Sequence, residues 1–70
     1  MIEEITLTKR EIEAVNYAKL GKDNKTIADL MCISIHTSKV HMKSILRKLN
    51  AKTRTEAVIK AIQLGIIDLY

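Results

Sequence analysis

The chain has no proline, tryptophan or phenylalanine, and only two tyrosines, two glycines and one cysteine in 70 residues. Each scarcity excludes something. Without aromatic platforms, stacking on the bases of single-stranded nucleic acid is not available, so any nucleic-acid partner is expected to be a duplex. Cys32 has no second cysteine to pair with, which fits a reducing compartment. Beside Ile33 it reads as a small, partly buried side chain, and nothing near it in sequence argues for a low thiol pKa. No apolar run approaches the length of a bilayer span and Met1 opens no signal peptide, so no membrane partner is expected and the location is read as cytoplasmic. His36 and His41 have no partners at a zinc spacing. No Gly-rich phosphate loop, Ser/His/Asp set or supported carboxylate pair appears. The sequence therefore predicts no catalytic residue, metal, cofactor or small-molecule ligand within the chain, and no enzyme activity.

Acidic residues are also missing from the middle. All of them lie at or before Asp29 or at or after Glu56, while Lys39, Lys43, Arg47, Lys48, Lys52 and Arg54 fall between. The formal net charge is +4 and the pI about 9.4. That balance favours an anionic partner, and its concentration in one stretch says more than its size.

Seventy residues make one small domain, with an ordered part expected from about 7 to 67 and a loose start from Met1 to Thr6. The helix signals are local. Thr8 and Glu11 form a capping box, with Leu7 and Ile12 placed as a hydrophobic staple. Helix 1 then runs from about Lys9 to Leu20, with Ala14, Val15, Ala18 and Tyr17 inward, and Gly21 takes a left-handed cap. Asp23 caps helix 2, Asn24 to about Met31, which packs through Ile27, Ala28 and Leu30. Met31-Cys32-Ile33 is the turn, Ser34 caps helix 3, and Asn50 ends it. Thr53 with Glu56 is a second capping box, opening helix 4 from Arg54 to about Leu64, with Gly65 beyond. The fold class is all-α: four helices, the second and third on the helix-turn-helix plan.

Helix 3 carries the argument about function. At about 100° per residue, Ser38, Met42, Ile45 and Leu49 share one side. His36, Lys39, Val40, Lys43 and Arg47 share the other. A solvated face has no use for an aliphatic residue among lysines. A recognition helix in the major groove does, because lysines reach guanine acceptors and an aliphatic group meets a thymine methyl. Arg47, lower on the helix, is placed at phosphate, as is His36 near its start. Arg54 is open between phosphate and a carboxylate such as Glu11. Helix 4 is too apolar for one buried side. Ala57, Val58, Ala61 and Leu64 form a core stripe, and Ile59, Ile62 and Ile66 form a second, read as a homodimer interface unless the tail from Ile67 to Tyr70 covers it.

Leu7-Thr8-Lys9-Arg10-Glu11, Gly21, Asn24-Lys25-Thr26-Ile27-Ala28, Ile33-Ser34, Thr37-Ser38-Lys39-Val40-His41, Lys48-Leu49, Arg54, Ala57-Val58 and Leu64-Gly65-Ile66 together resemble the LuxR-type, or GerE-like, helix-turn-helix domain of bacterial transcription regulators. The likeness covers nearly the whole chain. It implies that helix 3 reads DNA and helix 4 is the dimer element. It implies base contacts at Lys39, Val40 and Lys43, and phosphate contacts near Asn24 and Lys25, near Ser34, His36 and Thr37, and near Lys48. It further implies sequence-specific transcription regulation at the nucleoid, with double-stranded DNA as partner and RNA polymerase as a candidate second one. The chain departs from the pattern at Ser38, where valine is usual, at Thr26, where glutamate is common, and at Ser44, where asparagine is common. The family's receiver or ligand-binding domain is not in this sequence, whose acidic start fits a complete small regulator or the end of a longer one. The rival expectation is a protein–protein interaction module that uses the apolar face of helix 4, with the basic face incidental.

Overall fold

The computed structural model describes residues 6–70, so the expectation for the first five residues lies outside it. Four helices follow in order: α1 Lys9–Lys19, α2 Asn24–Met31, α3 Ile35–Lys48 and α4 Arg54–Gln63. Among the described residues α1 touches the three other helices, α3 packs on α1, α2 and α4, and α2 and α4 do not pack together but are joined at their first residues by a hydrogen bond from Arg54 to Asn24.

Each helix starts on a side chain that accepts from a free backbone N–H of the first turn. Thr8, Asp23, Ser34 and Thr53 accept from the N–H groups of Glu11, Thr26, Thr37 and Glu56 respectively. At α1 the capping box is complete, because Glu11 Oε1 accepts from the Thr8 N–H at 2.8 Å. At α4 it is not. Glu56 Oε2 accepts from the Lys52 N–H at 3.2 Å, one residue before the cap, which corrects the expected second box.

The helices also end alike. Gly21, Cys32, Asn50 and Gly65 all have positive φ. In each case the next residue's N–H returns to a carbonyl five residues back: Lys22 to Tyr17, Ile33 to Ala28, Ala51 to Leu46, Ile66 to Ala61. This is the Schellman closure, which satisfies end carbonyls at the cost of one left-handed residue. Glycine fits that conformation freely and asparagine tolerates it, but a cysteine is strained there. Cys32, at φ 57 and ψ 43, stands where a glycine would fit without strain, and its side chain is exposed rather than partly buried as expected.

The core contains Ala14, Val15 and Ala18 of α1, Ile27 and Met31 of α2, Met42 and Ile45 of α3 with Leu49 just beyond it, Ala57 and Ala61 of α4, and Leu7 and Ile67 from the chain ends. Ser38 is buried with its helix face, and Tyr17 and Ile12 pack half-buried against the cluster. Two expected core positions are displaced. Leu30 is 49 % exposed and Met31 is the inner residue, since Met31 stands four residues after Ile27 and three after Ala28 and shares their buried face, whereas Leu30 turns away from it. Leu64 is 54 % exposed, because α4 stops at Gln63 and the left-handed Gly65 reverses the chain so that Ile67 fills the core. The expected second stripe is thus only partly open. Ile62 and Ile66 pack against the core, and Ile59 alone of the three is exposed, at 50 %. Of the tail, Ile67 folds in while Leu69 and Tyr70 stay out.

Candidate nucleic-acid interface

The cations of this chain fall into two groups. One group is tied to the fold. Arg10 donates to the carbonyl of Met31 at 2.7 Å, and Lys60 to that of Asn50 at 2.7 Å, so each places positive charge at a helix C-terminal end, where the dipole favours it. Lys19 donates to the Asp68 carbonyl at 3.0 Å. Arg54, open between two roles in the sequence, donates to the Lys22 carbonyl at 2.8 Å and to Asn24 Oδ1, clamping the α1–α2 connection to the start of α4.

Lys48 belongs to this group too. Its Nζ lies 2.8 Å from Glu11 Oε1, and Glu11 is 3 % exposed. Burial pushes the Glu11 carboxyl up. Hydrogen bonds from Lys48, Ser44 and the Thr8 backbone, with the Lys48 charge, outweigh it and bring the pKa from an ordinary 4.5 to about 2. Glu11 therefore stays ionised inside the domain, joining the cap of α1 to the end of α3. Sequence reasoning found Glu11 as a cap and Lys48 as a phosphate ligand. It missed their pairing, for which a separation of 37 residues offers no local signal.

The second group has no partner among the described residues. Lys39, Lys43 and Arg47 stand exposed on α3, Lys25 on α2, and Lys9, Lys22 and Lys52 elsewhere, with no side-chain hydrogen bond or ion pair to any of them. Val40 is 51 % exposed among them. The opposite side of α3 holds Ser38, Met42 and Ile45, all buried, with Leu49 just past the end. The structure thus brings Lys39, Val40, Lys43, Arg47 and the exposed His36 onto the outer part of one helix.

The two helix N-termini differ electrically. At α3 the cap is neutral: Ser34 Oγ accepts from the Thr37 N–H at 3.0 Å and donates to Thr37 Oγ1 at 2.9 Å, and the first turn holds no acid. Its positive dipole end is uncompensated, as an anion site requires. At α2 the cap is the exposed Asp23, whose carboxyl is held below its usual range chiefly by the Thr26 backbone N–H. That charge already answers the dipole, and the Asn24 side-chain oxygen is engaged by Arg54. Among the described residues no helix is long and apolar enough to cross a membrane, and no cluster could hold a metal ion.

Comparison with known proteins places the chain in a family of transcription regulators and matches its fold. The family model GerE, described as bacterial regulatory proteins of the luxR family, matches residues 5–61. The chain is 46 % identical over 63 residues to the putative HTH-type transcriptional regulator y4qH of Sinorhizobium fredii, covering 90 % of this chain and 19 % of that protein. It is 42 % identical over 57 residues to the nitrate/nitrite response regulator protein NarP of Escherichia coli, covering 81 % and 26 %. The chain therefore spans about a fifth to a quarter of the length of these relatives. The solved structure of the transcription factor GerE superposes with a TM-score of 0.86 at 26 % identity, over 97 % of this chain and all of that one.

Proposed function

This chain belongs to the luxR family of bacterial regulatory proteins, DNA-binding transcription regulators and not enzymes, and from that premise we propose that it reads specific duplex sequences through the major groove with α3, as a two-fold dimer. The observation that carries the reading is the outer face of α3, where three cations without a partner among the described residues surround a half-exposed valine and the helix itself holds no acid. Lys39 and Lys43 take guanine acceptors and Val40 a thymine methyl. Arg47, Lys25, His36 and the α3 N-terminus at Ser34 and Thr37 take phosphates, and supply most of the affinity. The α2 N-terminus at Asn24 contributes less, since Asp23 repels phosphate there. Lys48 serves the fold through Glu11 rather than the DNA.

The dimer surface is the exposed Ile59 and Leu64, edged by the half-buried Ile62 and Ile66. A two-fold axis through it presents two α3 helices to successive major grooves. RNA polymerase is the further partner of a regulator so placed, and the nucleoid in the cytoplasm is where it acts. The test is selection of bound sequences from a random duplex library at two salt concentrations. A two-fold-related motif with half-sites about one helical turn apart is expected. Salt-sensitive binding without a motif would reduce the reading to non-specific coating. No binding even at low salt would leave the α4 surface, as a protein–protein module, in its place.

A further inference from the structure

Two large apolar side chains stand exposed on α3. Val40 is one, and Ile35, 44 % exposed at the first position of the helix, is the other. Ile35 does not pack against the core, unlike Ile33 two residues earlier. Its place is unfavourable for an isoleucine: first turns prefer small polar or acidic residues, and a β-branched chain gains nothing there from packing. By helical phase it lies at the margin of the packed face, beside Ser38 and Met42 and about 140° round the helix from Val40, yet it stands out of the core at the helix start. The residue line it heads, Ile35-Lys39-Lys43, runs at four-residue spacing along one side of α3, and both lysines are exposed and unpartnered.

We infer that Ile35 is a second apolar reader of the major groove, contacting a thymine methyl in each half-site. The inference rests on the reading of α3 as the recognition helix. Recognition helices touch base edges with their N-terminal residues, and Ile35 is the first of this one. It lies five residues from Val40, about 7.5 Å along the axis at the usual helical rise. That is about two base steps at roughly 3.4 Å per step along each strand. Each half-site should then carry two methyl-dependent positions about two base pairs apart, with lysine-read positions beside them.

The test uses the duplex selected for the wild-type chain, with each thymine replaced in turn by uracil, which removes the C5 methyl alone. Binding is measured for wild type, Ile35→Ala, Ile35→Val and Val40→Ala, with thermal melts to show that each variant is folded. For wild type, uracil should weaken binding about fourfold at two positions per half-site, the value of one buried methyl. Ile35→Ala should abolish the penalty at one position and keep the other, Val40→Ala should do the reverse, and Ile35→Val should keep both. If Ile35→Ala retains every wild-type penalty, or if the selected half-site has only the Val40-dependent position, Ile35 is not a reader although α3 still is. If the library returns no motif, the reading of α3 falls, and this inference with it.

Discussion

Lys43 and Lys48 sit five residues apart on the same helix, yet the structure uses them in opposite ways. Lys43 is exposed and has no partner among the described residues. Lys48 is drawn back onto a nearly fully buried carboxylate of another helix. Arg47 and Arg54 repeat the contrast, the first exposed and unpartnered, the second bonded to Lys22 and Asn24. A basic stretch is therefore not a uniform electrostatic surface. Two of its six cations, Lys48 and Arg54, are structural, and of the four that have no side-chain partner among the described residues, Lys39, Lys43 and Arg47 stand on the outer side of α3.

The largest effect that could break this comparison is on stability. Lys48→Ala should destabilise the domain by about 3 kcal/mol, since it strands the buried Glu11 charge. Lys43→Ala should stay within about 0.5 kcal/mol of wild type, as an exposed, unpartnered residue. Equilibrium denaturation of the two variants decides the matter, and equal losses would erase the distinction. Acid makes the same point without mutation. Glu11 has a folded pKa of about 2 against an ordinary 4.5, so its contribution is fully present above 4.5 and is lost as pH falls from there toward 2. The drop should come to about 3 kcal/mol over that window. Asp23 and Glu56, both held low by hydrogen bonds at helix starts, act in the same direction. Glu11→Gln should flatten most of the acid limb in a pH series of melts.

On the binding side, Val40→Ala or Lys43→Ala should relax discrimination at one position per half-site by roughly 1–3 kcal/mol, measured over a panel of single-base variants. Arg47→Ala should instead weaken all sequences alike and reduce the slope of log K against log salt by roughly 0.9, one phosphate contact. A small stabilising change lies outside both groups. Cys32→Gly relieves a left-handed cysteine and should raise stability by about 0.5–1 kcal/mol once the greater freedom of the unfolded glycine is counted.

What the sequence revealed was local, and what it hid was not. Thr8, Asp23, Ser34 and Thr53 announced their helices because a cap acts on backbone groups two or three residues away. Gly21, Asn50 and Gly65 announced the ends for the same reason. The buried face of α3 was legible because four turns of helix fix its phase. Leu30 was misplaced because the face set by Ile27 and Ala28 passes through Met31, and Leu64 because α4 stops before it and the next turn brings Ile67 inside. Cys32 hid its conformation, since no composition rule expects a cysteine where glycine belongs. The pairing of Lys48 with Glu11, which separates structural from available charge, is tertiary throughout. The outer face of α3 could be read from the helical wheel, but which neighbouring cations join it could not.

At 7.9 kDa the domain is small enough for residue-by-residue amide mapping by NMR, and titration with the selected duplex tests the central claim most directly. The account predicts the largest shifts from Ser34 to Arg47 along α3, with Lys48 and Glu11 little moved. Shifts concentrated instead around Ile59 and Leu64, with α3 silent, would contradict it.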